Sequence, residues 1–117
     1  MLEEKNIFVG GVEFTADRKT LIHFPEDLKI QDYTVPKGTE EIGINAFCNC
    51  QQLRAVTLPH SLQKIDSNAF QQCCNLQTLT IPANVNTIAP NAFLDCPAKL
   101  LSESPNFTVD RFGALIR

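Results

Sequence analysis

Residues 31–53 read QDYTVPKGTEEIGINAFCNCQQL, residues 54–76 read RAVTLPHSLQKIDSNAFQQCCNL, and residues 77–99 read QTLTIPANVNTIAPNAFLDCPAK. The three segments have equal length and align without a gap. The columns shared by all three are Tyr33/Val56/Leu79, Val35/Leu58/Ile81, Pro36/Pro59/Pro82, Ile42/Ile65/Ile88, Asn45/Asn68/Asn91, Ala46/Ala69/Ala92, Phe47/Phe70/Phe93 and Cys50/Cys73/Cys96. A repeat of this length predicts a solenoid, because one coil cannot bury its own apolar face and stacked coils share a continuous core.

The columns also predict the path of the chain through one coil. Val56-Thr57-Leu58 alternates between inward and outward positions, which is the pattern of a strand with one buried face. The proline that follows ends the strand, because it cannot donate to a ladder. The apolar pair Leu62 and Ile65 predicts a short second strand. The Asn-Ala-Phe segment predicts an asparagine cap on one short helical or 3₁₀ turn that buries phenylalanine and cysteine.

Stacking should bring the three phenylalanines together. Neighbouring parallel strands lie about 4.8 Å apart, so we expect the rings of Phe47, Phe70 and Phe93 to form a ladder of about that spacing. Such a ladder would be a principal source of stability, and the packed interior is expected to leave no ligand cavity.

The two ends of the single predicted domain, residues 1–117, differ in pattern. Residues 12–15 and 20–24 flank a turn-like segment and predict a β-hairpin, so residues 7–30 are expected to form a cap and connector. Residues 106–109 and 113–116 resemble the start of that hairpin. The segment 100–117 is therefore expected to open a second hairpin. We expect a monomer, or weak self-association through this last strand.

The repeat resembles the BspA-type leucine-rich-repeat family of bacterial surface proteins over roughly residues 7–116. Within the repeat, the resemblance rests on Ile81-Pro82, Val85 with Ile88, and Ala92-Phe93-Leu94-Asp95-Cys96. Before the repeat, it rests on the segment at residues 17–25, which is followed by Tyr33-Thr34-Val35-Pro36. It implies a mostly β solenoid of three 23-residue coils, with short helical or 3₁₀ turns and an N-terminal hairpin cap. It also implies a surface or secreted protein that binds protein partners, often in adhesion, and that has no catalytic residues.

Charge and hydropathy exclude several classes of function. Ten basic and thirteen acidic residues give a net charge of −3, which argues against nucleic acid and gives no reason to expect an anionic membrane surface. No apolar run approaches the roughly 18 residues of a membrane span. The charged N-terminus, residues 1–6, lacks the apolar core of a signal peptide, so the compartment stays open between the cytoplasm and the surface location that the resemblance implies.

Five cysteines leave three interpretations open. The column Cys50, Cys73 and Cys96 is expected to fill the core as small apolar side chains. Disulfides within the column are compatible with a coil spacing of about 4.8 Å, although the three side chains should point inward in parallel. A metal site would use Cys48-x-Cys50 with Cys73-Cys74, but structural zinc prefers paired C-x₂₋₄-C spacing, so no metal is expected. Cys48 and Cys74 lie off the column and are expected to be the more reactive thiols.

Candidate catalytic residues are few. His23 and His60 are isolated in sequence, and a catalytic base needs a partner that orients it. Glu40-Glu41 is expected to be a solvated turn, and the sequence contains no phosphate-binding or dinucleotide-binding motif. We therefore expect no catalytic residue, no cofactor and no enzyme.

The outward strand positions are the predicted binding face. Its residues are Gln31, Asp32, Thr34, Arg54, Thr57, Gln77, Thr78 and Thr80, with Ala55 between them. Threonine also suits an exposed strand position without any function. Three strands about 17 Å long project only about 250 Å², against the roughly 800 Å² that each partner gives to a standard interface. A protein-binding module is therefore favoured, with a structural spacer or a small cytoplasmic partner protein as alternatives.

Overall fold

The computed structural model describes residues 4–109 and 115–116, which contain strands and turns but no helix. The strands are β1 (Ile7–Val9), β2 (Val12–Phe14), β3 (Thr20–His23), β4 (Asp32–Thr34), β5 (Glu41–Ile42), β6 (Ala55–Thr57), β7 (Lys64–Ile65), β8 (Thr78–Ile81), β9 (Thr87–Ile88), β10 (Lys99–Ser102), β11 (Thr108–Val109) and β12 (Leu115–Ile116). They form a solenoid, as the sequence predicts.

Each of the first three coils contributes one strand to each of two ladders. β4, β6, β8 and β10 form a parallel sheet, which we call the repeat sheet. β5, β7 and β9 continue the antiparallel strands β1, β2 and β3 in a second sheet, the cap sheet, through the parallel pair β3 and β5. The apolar side chains between the two sheets form one core.

The N-terminal cap confirms the predicted hairpin and adds one strand to it. β2 and β3 pair antiparallel, and Leu21 of β3 lies opposite Ile42 of the first coil. β1 pairs with β2 through a tight turn at Gly10 and Gly11, whose φ values of 59° and 88° favour glycine. The cap therefore covers the first coil by extending its hydrogen-bonded ladder.

The Asn-Ala-Phe segment differs from its prediction. It forms successive β-turns in which the Ala46 N–H donates to the Gly43 carbonyl at 3.2 Å and the Cys48 N–H donates to the Asn45 carbonyl at 3.1 Å. Asn45 and Asn68 have φ values of 58° and 57°, which the third position of a type II turn requires and asparagine tolerates. A helix cap needs extended backbone, so the cap interpretation is wrong for these two asparagines.

The predicted phenylalanine ladder is confirmed. Phe47 and Phe70 stack with centroids 4.9 Å apart, and Phe70 and Phe93 stack at 5.5 Å. Phe24 of the cap extends the ladder at 5.3 Å from Phe47, a contact that the alignment did not predict. The Phe47 N–H also donates to the Ala69 carbonyl at 2.7 Å, so main-chain hydrogen bonds join the coils along the same wall.

β10 is a fourth strand that the gapless alignment did not predict. It pairs in parallel with β8, with Leu100 opposite Leu79, at a separation of 21 residues. Equivalent positions of the first two coils, such as Gly38 and Ser61, are separated by 23 residues. The third coil is therefore shorter than those before it. The repeat sheet gains a strand from the segment that we expected to open a second hairpin.

The segment after β10 is fixed by serine side chains. The Ser104 hydroxyl donates to the Val85 carbonyl at 2.6 Å, and the Ser102 hydroxyl donates to the Phe107 carbonyl at 2.7 Å. β11 and β12 then pair antiparallel, with Val109 opposite Leu115. Residues 113 and 114 of the expected second hairpin lie outside the described residues, as do residues 1–3 of the charged N-terminus.

Thr39 provides a test of the core positions. It is fully buried in the column of Leu62 and Val85, and its Oγ1 has no hydrogen-bond partner among the described residues. Thr39→Val keeps the shape and removes an unsatisfied hydroxyl, so we expect the free energy of unfolding to rise by about 1–2 kcal/mol in urea titrations. Thr57→Val, at an exposed strand position, is the matched control and should change it by less than about 0.5 kcal/mol. A loss of stability in Thr39→Val would contradict the core position.

Candidate binding face

The repeat sheet aligns the predicted residues in straight columns on its outer side. Asp32 lies opposite Ala55, and Thr34 lies opposite Thr57. Ala55 lies opposite Thr78, which continues the first column into the third coil. Because the pairing is parallel and in register, equivalent side chains of successive coils become neighbours.

The eight predicted face residues lie at the surface. Seven of them are exposed and Thr80 is half-buried. The main chain fixes the rim, since the Gln31 carbonyl accepts the Arg54 N–H at 2.8 Å and the Arg54 carbonyl accepts the Gln77 N–H at 3.0 Å. Within the described residues the eight side chains make no intramolecular hydrogen bond or ion pair. Their polar groups are therefore available to a partner.

β10 widens this face by two residues that the alignment missed. Lys99 lies opposite Thr78, and Leu101 lies opposite Thr80 with 45% of its surface exposed. The alternation in Lys-Leu-Leu-Ser could have predicted them, had a shortened coil been considered. The outer face of four strands has a projected area of about 330 Å², which is less than half of the area that each partner buries in a standard protein–protein interface. Asp32 and Lys99 stand at opposite edges, so the face carries charges of both signs.

The expected lack of a ligand cavity is wrong at the end of the stack. The last coil borders an open apolar groove of about 580 Å³. Its lining residues include Pro90, Phe93, Leu94, Leu100 and Leu115. Phe93 is only half-buried there, whereas Phe47 and Phe70 in the preceding coils are fully buried.

The five free thiols fall into three environments. Cys50 and Cys73 are fully buried, and their S–H groups donate to the Phe24 and Phe47 carbonyls at 3.3 and 3.0 Å. Cys48 and Cys96 are half-buried, and Cys74 is exposed. The core-filling interpretation therefore describes Cys50 and Cys73, while Cys96 packs against the core at its edge and is only half-buried. No group of three or more metal-ligating side chains comes together within residues 4–109 and 115–116.

Burial shifts the titration of the core. It raises the pKa of Tyr33 to about 12 and the pKa of Cys50 to about 12, with smaller contributions to Cys50 from Cys48 and Glu26. Burial also raises the pKa of the Cys73 thiol, and the neighbouring Cys96 raises that pKa further. In each case the low-dielectric surroundings disfavour the charged form.

These shifts predict a loss of stability at alkaline pH. The unfolded chain releases the two buried thiol protons near pH 9, whereas the folded chain retains them up to about pH 12. The stabilisation is therefore complete below pH 9 and is lost as the pH rises toward 12. Urea titrations across this range should show a falling free energy of unfolding. The double variant Cys50→Ala and Cys73→Ala should show a shallower slope, and an equal slope would contradict the assignment.

The two histidines are not brought into a catalytic arrangement. His23 is exposed at the end of β3, and His60 is exposed in the turn that follows β6. The prediction of a solvated turn is wrong for Glu41, which is half-buried in β5 of the cap sheet. The Glu40 carbonyl accepts the Gln63 N–H at 2.8 Å. In the part of the chain that the structure describes, no helix is long and apolar enough to cross a membrane.

The stacked coils and the parallel repeat sheet define a leucine-rich-repeat solenoid. The sequence matches the family described as "BspA type Leucine rich repeat region (6 copies)" over residues 22–107, and the chain belongs to this family. It is a repeat module of a protein-interaction fold. No curated protein matches the sequence.

Solved structures of bacterial proteins share the fold. A leucine-rich repeat protein from Eubacterium ventriosum superposes with a TM-score of 0.80 at 20% identity, covering 87% of this chain and 28% of that one. A leucine rich cell surface protein from Faecalibacterium prausnitzii superposes with a TM-score of 0.63 at 28% identity, covering 74% of this chain and 25% of that one. The pneumococcal vaccine antigen PcpA superposes with a TM-score of 0.61 at 23% identity, covering 97% of this chain and 41% of that one. The chain thus spans about a quarter of the first two proteins.

Proposed function

We propose that this chain is a non-enzymatic protein-binding module of a bacterial cell-surface or secreted adhesion-type protein. Its contact surface is the outer face of the repeat sheet. The observation that carries the proposal is the set of outward side chains that make no hydrogen bond or ion pair within the described residues. A regular row of unpaired polar groups suits recognition of another protein surface.

The character of the face supports a protein partner. Threonine hydroxyls can donate and accept, Asp32 and Arg54 add charges of both signs, and Leu101 adds apolar area. The net charge of −3 and the lack of a basic stripe argue against nucleic acid. A surface location is favoured by the name of the Faecalibacterium protein, which is 28% identical over the matched part.

The small face predicts weak binding by one copy. About 330 Å² is below half of what each partner gives to a standard interface. Strong adhesion would then come from several copies or a longer array, because linked sites raise the effective concentration of the second contact. Weak self-association through the C-terminal strand would be one route to several copies.

A spacer in a longer array is the second candidate function. The described stack is elongated, with extents of 50 × 29 × 21 Å, and its coils repeat a nearly constant unit. A spacer needs this shape but no particular chemistry on the face. A small cytoplasmic partner-binding protein is a third candidate, which the free thiols permit.

Binding to a panel of immobilised extracellular host proteins, measured by surface plasmon resonance, tests the proposal. We expect at least one to bind weakly, with Thr57→Arg reducing its affinity about tenfold, which corresponds to about 1.4 kcal/mol. Thr87→Arg is the matched control, since Thr87 is also an exposed strand threonine but lies on the cap sheet. Binding lost in Thr87→Arg and retained in Thr57→Arg would contradict the face. No binding to any member would favour the spacer.

A further inference from the structure

Two thiols share a surface pocket at the junction of the second and third coils. The pocket is lined by Cys74, Asp95, Cys96 and Pro97. Cys74 is exposed and Cys96 is half-buried, so a small solute can reach both residues from one side. The buried thiols of Cys50 and Cys73 do not line this pocket.

The coil spacing places these two cysteines near the upper end of the Cα separations that a disulfide spans. Cys96 occupies the column of Cys73, one coil further along, and Cys74 is the residue after Cys73. The rings three residues upstream, Phe70 and Phe93, are 5.5 Å apart. Combining a coil spacing of about 5 Å with a step of about 3.8 Å along the chain separates the two Cα atoms by about 6–7 Å. Disulfides span up to about 6.8 Å.

The two column cysteines differ in exposure. The Cys73 S–H donates to the Phe47 carbonyl at 3.0 Å. A backbone N–H opposes the rise that burial causes in the pKa of each thiol, that of Cys50 for Cys73 and that of Ala98 for Cys96. Attack on a disulfide also requires access to the sulfur, and Cys96 is half-buried whereas Cys73 is fully buried. Cys96 is therefore better suited than Cys73 to react with a neighbouring cysteine.

We propose that Cys74 and Cys96 form a two-thiol modification site that takes low-molecular-weight disulfides of the glutathione disulfide class. The exposed Cys74 thiolate attacks one sulfur of the small disulfide, forming a mixed disulfide and releasing one small thiol. The Cys96 thiolate then attacks the Cys74 sulfur, breaks the mixed disulfide and releases the second small thiol. The two protein thiols are oxidised, the small disulfide is reduced, and both protons end on the released thiols.

Formation of the disulfide would covalently link the second coil to the third. The disulfide would join residues that lie outside the strands of the repeat sheet. It would therefore change the stability of the last complete coil without covering the proposed binding face. This inference does not depend on the proposed function.

A protease that cuts before aspartate separates the cysteines into three peptides. Residues 32–65 carry Cys48 and Cys50, residues 66–94 carry Cys73 and Cys74, and the peptide that begins at Asp95 carries Cys96. The reduced full chain is incubated with glutathione disulfide, quenched in acid, and measured by intact mass and peptide mapping. We expect a loss of two hydrogens, no retained glutathione, and the second and third peptides joined.

Three variants assign the bond to its two cysteines. Cys74→Ser should abolish the joined peptides, and Cys96→Ser should leave a stable glutathione adduct on Cys74. Cys48→Ser, which removes another cysteine outside this pocket, is the control and should behave as the wild type. If Cys96→Ser loses its fold by circular dichroism, Cys96→Ala serves in its place.

Four results would overturn the proposal. A link that persists in Cys74→Ser would assign the bond to Cys73. A link to the peptide of residues 32–65 would assign it to another coil junction. A glutathione adduct that persists in the wild type would show that Cys96 does not resolve it. A wild-type chain that does not react would show that the two thiols of this pocket do not exchange with small disulfides.

Discussion

Replacing Phe70 with alanine should lower the free energy of unfolding by about 3–5 kcal/mol. Phe70 is fully buried and stacks between Phe47 at 4.9 Å and Phe93 at 5.5 Å, so its removal breaks two aromatic contacts and leaves a cavity. Domains of this size are stable by about 5–15 kcal/mol, so the variant would be close to unfolding. Urea titration followed by circular dichroism measures the loss.

Phe8→Ala is the matched control for the phenylalanine ladder. Phe8 is a phenylalanine of β1 with 68% of its surface exposed. Its truncation should change the free energy of unfolding by less than about 0.5 kcal/mol. A loss below about 1 kcal/mol in Phe70→Ala would contradict the ladder as a principal source of stability.

Leu62→Ala should cost about 2–5 kcal/mol. Leu62 is fully buried in the middle coil, between Thr39 of the first coil and Val85 of the third in the same column. Truncation would remove apolar contacts to both neighbouring coils, because the cavity cannot collapse without shifting β7. The change is read from the urea midpoint at a constant slope.

Ile44→Ala separates this core effect from the general effect of losing an aliphatic side chain. Ile44 is 62% exposed in the turn after β5, so its truncation should be nearly neutral. Equal losses in Leu62→Ala and Ile44→Ala would contradict the assignment of Leu62 to the shared core.

The repeating columns predicted the solenoid because each column has one physical role in every coil. Phe70 and Ile65 are buried, as their columns require, and Thr57 is exposed. Asn45 occupies a left-handed turn position, not the helix cap that was predicted. Asparagine suits both positions. Sequence alone cannot separate these two uses of the residue.

The fourth strand was missed because the period changes at the last coil. Leu100 lies opposite Leu79, whereas an alignment that keeps the longer period of the first two coils places Ser102 there instead. The partial exposure of Cys96 has a related cause. A column residue is fully buried only when coils cover it on both sides, and its exposure depends on its position in the stack.

The candidate face could be predicted in part. Thr34 and Thr57 follow from strand alternation, which assigns outward positions from the order of residues alone. Lys99 and Leu101 depend on the register of β10, which the alignment did not contain. What the face binds cannot be read from alternation, since threonine suits an exposed strand whether or not a partner exists.

The register of the stacked coils is the claim on which both the core and the four-stranded face depend. Nuclear Overhauser contacts between backbone protons of neighbouring strands measure it most directly in a chain of 13.0 kDa. We expect contacts that pair Leu79 with Leu100 and Thr80 with Leu101. Contacts that pair Leu79 with Ser102, as an unbroken repeat period would require, would contradict this register. So would the lack of any contact between β8 and β10.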